Sequence, residues 1–567
     1  MKKISIYVGS RANYSSAFSI MKAIQKHPEL NLSLVISGAA VLPRFGDIRE
    51  LIKKDGFKAD METNSLIEGE NPTAMSKSIG LGMIDYSNAL EKLKPDCVIA
   101  IGDRFDVLPW VISAAMMNIP IAHTMGGERS GTIDESIRHA ITKFSNIHLA
   151  AHYTYGRGFY EQYRSEDNLI NYFDYMEDKT QDLVRRRWLS NHFYGITYSY
   201  FYKNAKSELN IGGAINEYDG DHFGKIVSSE TPNLLFSDPY YFSKSFKRDR
   251  NIFLKYKYSI SNKTQVFGDL QLRRYFHESN GDDNDGTLIS INSKKTFFNP
   301  KLGFSSSINE KSNIYFSLAV ANREPIRSDF IDSYVDPEHE TLYNFELGQN
   351  YNYRNGLLKI NLFLMEYKNQ LITTGEVNDV GAYIRTNVDK SRRYGLEASN
   401  NISTKKLNIE SNISLSKNYV FDYSEIIYDY GEDFSEYNLV VNKYDKTDIA
   451  FSPKLIINNQ VEYNVFNNLH FFLKSKFVGQ QYLDNTSNIN RSIDSFFTND
   501  IGAYINLSNN LFESLFFKFS INNIFNTLYS SNGYTFGYFG GRSYEVRENY
   551  YYPQAGRNFM VSLTIKI

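Results

Sequence analysis

The 567-residue chain has one cysteine, Cys97, which excludes a disulfide framework and a thiolate metal cluster. It has no excess of either charge: 62 Lys and Arg face 64 Asp and Glu, a formal net charge of -2. That balance is not the basic surplus of a nucleic-acid partner. No run of roughly 18 apolar residues occurs, so no transmembrane helix is predicted. The first residues lack a leader pattern as well. Met1-Lys2-Lys3 is followed by the short run Ile4–Val8, and Arg11 interrupts before any small-residue cleavage site, so no signal peptide is predicted.

Tyrosine is scarce in one part of the chain and abundant in the other. Residues 1–152 hold Tyr7, Tyr14 and Tyr86, so 40 of the 43 tyrosines follow residue 152. Phenylalanine behaves likewise, with five before that point and 35 of 40 after it. A length that allows two to four domains thus divides into two parts of different composition. The expected division is 1–150 and 151–567, inside the stretch Ile147–Gly158, with no linker between the parts.

The first part alternates strand and helix. Lys3–Val8, Leu32–Ile36, Cys97–Ile101 and Ile119–His123 read as short buried strands, while Ala17–Ile24, Met83–Leu93 and Ala114–Met117 carry helical spacing. This alternation predicts βαβ units, a parallel sheet and a Rossmann-like α/β domain. Ligands of such sheets bind beyond the carboxyl ends of the strands. Gly9-Ser10-Arg11, Gly102-Asp103-Arg104 and His123–Glu128 fall there, and Asp134–His139 reads as the first turns of a helix. Acidic groups with Arg11, Arg104 and Arg138 nearby suit proton transfer and anion binding. Strand-end polar residues and helix N-terminal acids favoured by the dipole explain the same pattern.

These residues carry a resemblance. Gly9-Ser10-Arg11-Ala12-Asn13-Tyr14, Ile101-Gly102-Asp103-Arg104, and Ile119–His123 through Gly131–Lys143 resemble the hydrolysing UDP-N-acetylglucosamine 2-epimerases of sialic-acid biosynthesis. The resemblance implies two Rossmann-like domains closing on a UDP-sugar, and release of N-acetylmannosamine and UDP without metal or other cofactor. It implies Asp103, Glu128 and Glu135 as acid/base groups and Arg11, Asp134 and Arg138 as substrate-binding residues. Ser16 stands where many relatives carry lysine. The pattern stops near Leu149-Ala150, so the expectation is a truncated epimerase domain without its UDP-holding partner and without activity.

After residue 152 the period becomes 2. Ile252, Leu254, Tyr256, Tyr258 and Ile260 alternate with Phe253, Lys255, Lys257 and Ser259, and Phe559–Ile567 does the same. Many such dyads, rich in aromatics, are the signature of a transmembrane β-barrel, although soluble sandwiches and propellers also alternate. Arg354-Asn355-Gly356 reads as a short turn and His277–Gly286 as a long polar loop. That acidic loop lacks EF-hand spacing, and His152, His192, His222 and His277 lack metal spacing.

Tyr153–Tyr163, Arg186–Asn191, Ala321–Arg327, Arg385–Ser391, Asn522–Asn526 and Tyr551–Phe559 resemble TonB-dependent receptors of Bacteroidetes type. The resemblance implies an outer-membrane transport barrel in contact with lipid and coupled to TonB. No plug, TonB box or first strands are recognised, and roughly 16 to 18 strands are expected from the length. The overall expectation is an outer-membrane receptor barrel fused to a truncated epimerase fragment and inactive as both. The alternative is a hydrolysing UDP-N-acetylglucosamine 2-epimerase.

Overall fold

Lys2–Val8 forms β1, and a helix follows because Ser10 caps it: its side chain accepts from the Asn13 amide at 3.2 Å. This helix, α1 (Arg11–Lys26), buries Tyr14, Ala17, Met21 and Ile24 at helical spacing. β2 (Leu30–Ile36), α2 (Arg49–Lys54) and β3 (Met61–Glu62) follow. Then α3 (Pro72–Leu93) is capped by Asn71, whose side chain accepts from the Ala74 amide at 2.9 Å, and starts on proline. β4 (Cys97–Ile101), α4 (Leu108–Met116), β5 (Ile121–Thr124) and α5 (Ile133–Phe144) complete the α/β part. Helices α3 and α4 meet closely at Gly82, where an added Cβ would lie 2.8 Å from a Pro109 ring carbon.

The computed structural model describes all residues except 68, 70, 126–132, 145, 174–177, 231–237, 334, 379–380, 467, 508–513, 542–543 and 567. Within α5 the side chains of 133–135, 138, 142 and 143 also lie outside the description.

The remaining strands are β6 (Ile147–Asn168), β7 (Thr180–Lys203), β8 (Ser207–Ser229), β9 (Tyr241–Ser259), β10 (Thr264–Asp282), β11 (Leu288–Asn309) and β12 (Ser312–Arg323). After α6 (Arg327–Asp332) come β13 (Glu340–Tyr353), β14 (Gly356–Val377), β15 (Tyr383–Ser403), β16 (Leu407–Asp429), β17 (Asn438–Asp448), β18 (Leu455–Phe466) and β19 (Leu469–Val478). The last are β20 (Gln481–Tyr482), β21 (Ser492–Ile493), β22 (Phe496–Leu507), β23 (Ser514–Asn522), β24 (Ser530–Phe539), β25 (Val546–Pro553) and β26 (Asn558–Lys566). From β6 onward, β6 to β19 with β22, β23, β24 and β26 make eighteen described strands of nine residues or more, the length a tilted strand needs to cross a membrane.

The chain divides into two compact units, Met1–Tyr256 with Gln271–Thr296, and Lys257–Leu270 with Phe297–Ile567. In the first unit the parallel strands run in the order β3-β2-β1-β4-β5-β6, the doubly wound arrangement. The cores on its two faces centre on Ile6, Met21 and Leu34, and on Tyr7, Tyr86 and Trp110. The outermost position is held by the first three residues of β6, through Ala122↔Ile147, His123↔His148 and Thr124↔Leu149. The same strand pairs antiparallel with β7 from Ile147↔Tyr200 to Asn168↔Thr180. Asn146 sits at the branch: its amide donates to the Ile121 carbonyl at 2.9 Å, and its carbonyl accepts from the Phe201 amide at 2.6 Å. One strand therefore belongs to two folds, and the expected division at 150–151 falls inside it.

In the second unit β12 to β16 form an antiparallel meander, continued by β18, β19, β22, β23 and β26. Its turns at Arg354-Asn355 and Thr404–Lys406 are short. One expectation needs correcting. His277–Asp282 is strand rather than loop, because the dyad continues through buried Tyr275, His277 and Ser279. The loop shrinks to Asp283–Thr287.

Candidate functional site

The α/β sheet reverses its winding between β1 and β4, the switch point at which sheets of this order hold their ligand crevice. Asn13 ties the two strand ends together: its side-chain Nδ2 donates to the Ile101 carbonyl at 3.0 Å. Beyond β1 the chain turns through Gly9 into α1, which leaves Arg11 exposed on the first helical turn. Beyond β4, Gly102 takes φ of 78°, a left-handed conformation that suits glycine. Asp103 follows in this loop, half-buried. The ring of His123, at the end of β5, lies 3.0 Å from the Gly102 carbonyl through Nε2.

The crevice thus brings Arg11 and Asp103 to adjacent strand ends. Asp134, Glu135 and Arg138 lie on the first turns of α5, as the sequence predicts, but their side chains are outside the described residues. Glu128 also lies outside the described residues. A set of polar groups beneath the crevice was not anticipated. Asp106 is 4% exposed and accepts from the Tyr7 hydroxyl at 3.3 Å and from Arg104 Nε at 3.1 Å. Tyr86 bonds Tyr7 at 3.0 Å and Ser65 at 2.7 Å, and Ser65 bonds Ser37 at 2.9 Å. Burial pushes the Asp106 carboxyl above its usual range against the pull of the Arg104 guanidinium. Burial, with the Asp106 carboxylate beside it, raises the Tyr7 phenol well above its ordinary value. The network holds the two glycine loops from below: a Cβ on Gly9 would lie 2.5 Å from Asp106 Oδ2, and one on Gly38 2.7 Å from it. The only sequence signal was a second carboxylate three residues after Asp103. Among the described residues no cluster of His, Cys, Asp and Glu could hold a metal.

The strands after β6 carry a different surface. On β7, Tyr194, Ile196, Tyr198, Tyr200 and Tyr202 are all exposed, and on β9 Ile252, Leu254 and Tyr256 are exposed in the same alternation. Contiguous apolar surface of this extent belongs against lipid or protein. The opposite faces are polar, as in the Arg273–Asp249 bond of 2.7 Å and the Ser411–Asn459 bond of 2.6 Å. Hydrophobic-out, polar-in strands are the inverse of a soluble sandwich and match a membrane barrel. No helix is long and apolar enough to cross a membrane among the described residues.

The polar side of the second unit encloses an ion cluster. Arg491 Nη1 lies 2.5 Å from Glu425 Oε1 and 2.9 Å from Asp484 Oδ2, and Arg547 Nη2 lies 2.9 Å from Glu425 Oε1. Arg547 also pairs with Glu545. The cluster pins the hairpin β24–β25 to β16, against which β24 runs parallel at Tyr428↔Tyr538 and Asp429↔Phe539.

Comparisons with known proteins separate the same two parts. A family model for UDP-N-acetylglucosamine 2-epimerase matches residues 22–188, and a model for TonB dependent receptor-like, beta-barrel matches residues 127–526. Both models span β6. The chain is 30% identical over 217 residues to a GDP/UDP-N,N'-diacetylbacillosamine 2-epimerase (hydrolyzing) of Campylobacter jejuni, covering 36% of this chain and 56% of that protein. It is 31% identical over 151 residues to a UDP-N-acetylglucosamine 2-epimerase of Neisseria meningitidis, covering 27% and 39%. The chain therefore spans about half or less of these relatives. Among solved structures it resembles the copper transporter OprC, with a TM-score of 0.53 at 12% identity over 74% of this chain and 62% of that one. It also resembles the siderophore receptor PiuA from Acinetobacter baumannii, with a TM-score of 0.51 at 15% identity over 74% and 61%. At these identities the likeness concerns the fold.

Proposed function

Because the chain belongs to the TonB-dependent receptor-like β-barrel family, we propose that it is an outer-membrane transport barrel whose epimerase-like α/β part does not turn over nucleotide sugar. The observation that carries this reading is β6. It takes the outermost place in the α/β sheet for three residues and then continues as a membrane-type strand paired with β7 along its whole length. The segment that follows the α/β part is thus spent on barrel wall, whereas the resemblance calls for a second domain to close over a UDP-sugar. A crevice open on that side neither excludes water nor fixes a nucleotide sugar for proton transfer.

Arg11, Asp103, Glu128, Asp134, Glu135 and Arg138 are, on this reading, the residues of an epimerase crevice kept in outline, with the acid/base groups Asp103, Glu128 and Glu135 and the anion contacts Arg11, Asp134 and Arg138. Outer-membrane lipid is the partner of the barrel's exposed aromatic and aliphatic face. Transport energised through TonB is the function that family membership supports. The part of that work requiring a plug, and the division of the chain at 150–151, belong to the same proposal.

Two measurements test it. Density-gradient fractionation of cells expressing the chain should place it with outer-membrane markers, and recovery in the soluble fraction refutes the barrel reading. Purified chain incubated with UDP-N-acetylglucosamine should release no UDP above buffer. Turnover would establish the epimerase instead.

A further inference from the structure

Beside the ion cluster of the second unit lies a carboxylic acid that the cluster's arginines do not pair. Glu376 is twenty residues beyond Gly356, where β14 starts after the short turn Arg354-Asn355. A tilted strand crosses a bilayer in about 9–11 residues, so on the membrane-barrel reading this end stands beyond the lipid. The local backbone places the side chain. Gly375 takes φ of 106°, a region open to glycine, and an added Cβ would lie 3.0 Å from Asp484 Cβ. The register of β14 on β15 shifts between Thr373 and Val377, and this bulge turns Glu376 into a small cavity. Its volume is about 50 Å³, and Tyr423, Glu425, Asp484, Thr535 and Arg547 line it with Glu376.

The charges around this acid do not balance. Arg491 reaches Glu425 at 2.5 Å, Asp484 at 2.9 Å and Glu545 at 3.4 Å. Arg547 reaches Glu425 at 2.9 Å and also pairs with Glu545. Two arginines thus serve three carboxylates, and Glu376 is a fourth that forms no ion pair among the described residues. Arg547 acts on it from beyond ion-pair distance, and Glu425 opposes its ionisation. The phenols of Tyr423 and Tyr430, also close to it, bring no positive charge. Burial pushes the Glu376 carboxyl above its usual range, against the pull of Arg547 and with Glu425 adding to the rise. Against burial, Arg491 and Arg547 hold the Glu425 carboxyl below its usual range. Of these two neighbouring acids, Glu376 is the one that keeps a proton.

We infer that Glu376 is a proton-binding site that sets how firmly the β24–β25 hairpin is held on β16. With the proton in place, three carboxylates face two arginines and Arg547 stays on Glu425. Without it four face two, and the added charge competes with Glu425 for Arg547, the side chain that ties β25 to β16. Closure favours the neutral acid, whereas the open hairpin leaves the group in water. The folded pKa lies above the unfolded value of about 4.3, so the stability is fully present below that pH and is lost as pH rises through the folded value. Exposure of the site to the outer medium rests on the membrane-barrel reading above.

Hydrogen exchange of the full-length chain in detergent micelles, from about pH 4 to about pH 8, tests this. The β24 and β25 amides are compared at each pH with those of β12 and β13 in the same molecule, which cancels the intrinsic pH dependence of exchange. Relative opening of the hairpin should rise with pH, by up to about tenfold per unit, and then level off. Glu376→Gln should hold the hairpin closed over the whole range, and Glu376→Asp should keep the rise. Glu548→Gln, on β25 and bonded to the Tyr550 hydroxyl instead, should keep it too. A native hairpin whose relative opening stays within about twofold across the range overturns the inference, whether or not any variant assembles. So does a rise that survives in E376Q, or one that is lost in E548Q. Heat-modifiable migration of the same sample reports the membrane reading separately, so a flat response in a chain that migrates this way overturns this inference alone.

Discussion

Replacing Arg491 by alanine should release the β24–β25 hairpin without dismantling the strand meander. The side chain is 8% exposed and reaches Glu425, Asp484 and, at 3.4 Å, Glu545. Its loss affects these partners unequally. Glu425 keeps Arg547 at 2.9 Å and the Tyr444 hydroxyl at 3.0 Å. Asp484, 2% exposed, keeps hydrogen bonds from Thr486 but loses the cation 2.9 Å away. Removing one partner of a buried pair costs about 3–5 kcal/mol because the remaining charge stays buried. With one of the two strongly coupled carboxylates still paired, the lower end, about 3 kcal/mol, applies. That corresponds to an opening equilibrium raised roughly 100-fold, read as faster hydrogen exchange of the β24 and β25 amides and as tryptic cleavage at Arg547. Arg491→Lys, which keeps the charge but not the fork, should fall between alanine and the native residue. Exchange in β24–β25 within twofold of the native chain would refute the assignment of the cluster as the hairpin's clamp.

Three further outcomes follow from the geometry. Gly9→Ala should destabilise the α/β part by about 1–3 kcal/mol through overpacking, since its Cβ would meet Asp106 Oδ2 at 2.5 Å and the Tyr7 hydroxyl oxygen at 2.6 Å; emission from buried Trp110, stacked 6.0 Å from Tyr7, reports the lowered unfolding midpoint. Asp106 has a folded pKa above its unfolded value of about 3.9, so its contribution to stability is fully present below that pH and is lost as pH rises through the folded value. Asp106→Asn should flatten the pH dependence of the same midpoint over that window, and an unchanged slope would refute the assignment. Leu254→Arg, on the outward face of β9, should cost about 2–4 kcal/mol near the bilayer midplane and lower the yield of assembled barrel; an equal effect from a conservative polar change at inward-facing Ser245 would contradict the assigned faces.

Much of the fold was legible because the two periodicities differ. Helical spacing at Ile20, Met21 and Ile24 and the dyad at Ile252–Ile260 each respond to a single interface, the α/β core in one case and lipid in the other. The placement of Arg11 and Asp103 just beyond strand ends was legible because glycine turns punctuate the strands of a doubly wound sheet there. The Asp106–Tyr7–Tyr86 network was not, since it joins residues 99 and 79 positions apart whose proximity is set by packing. The end of the β10 strand was misplaced because acidic residues read as loop, although the alternate positions Tyr275, His277 and Ser279 are buried. The shared strand escaped the sequence for a related reason. Ile147–Leu149 has the apolar character of a short parallel strand, and the aromatic dyad after it has that of a barrel strand, with no turn residue between them to mark a boundary.

The central claim is that the chain acts as an outer-membrane barrel, and heat-modifiable migration of the full chain extracted from outer membranes tests it most directly. The account predicts that unboiled chain runs ahead of its boiled form and stays with outer-membrane markers. Identical migration before and after boiling, from a chain recovered in the soluble fraction and releasing UDP from UDP-N-acetylglucosamine, would contradict it.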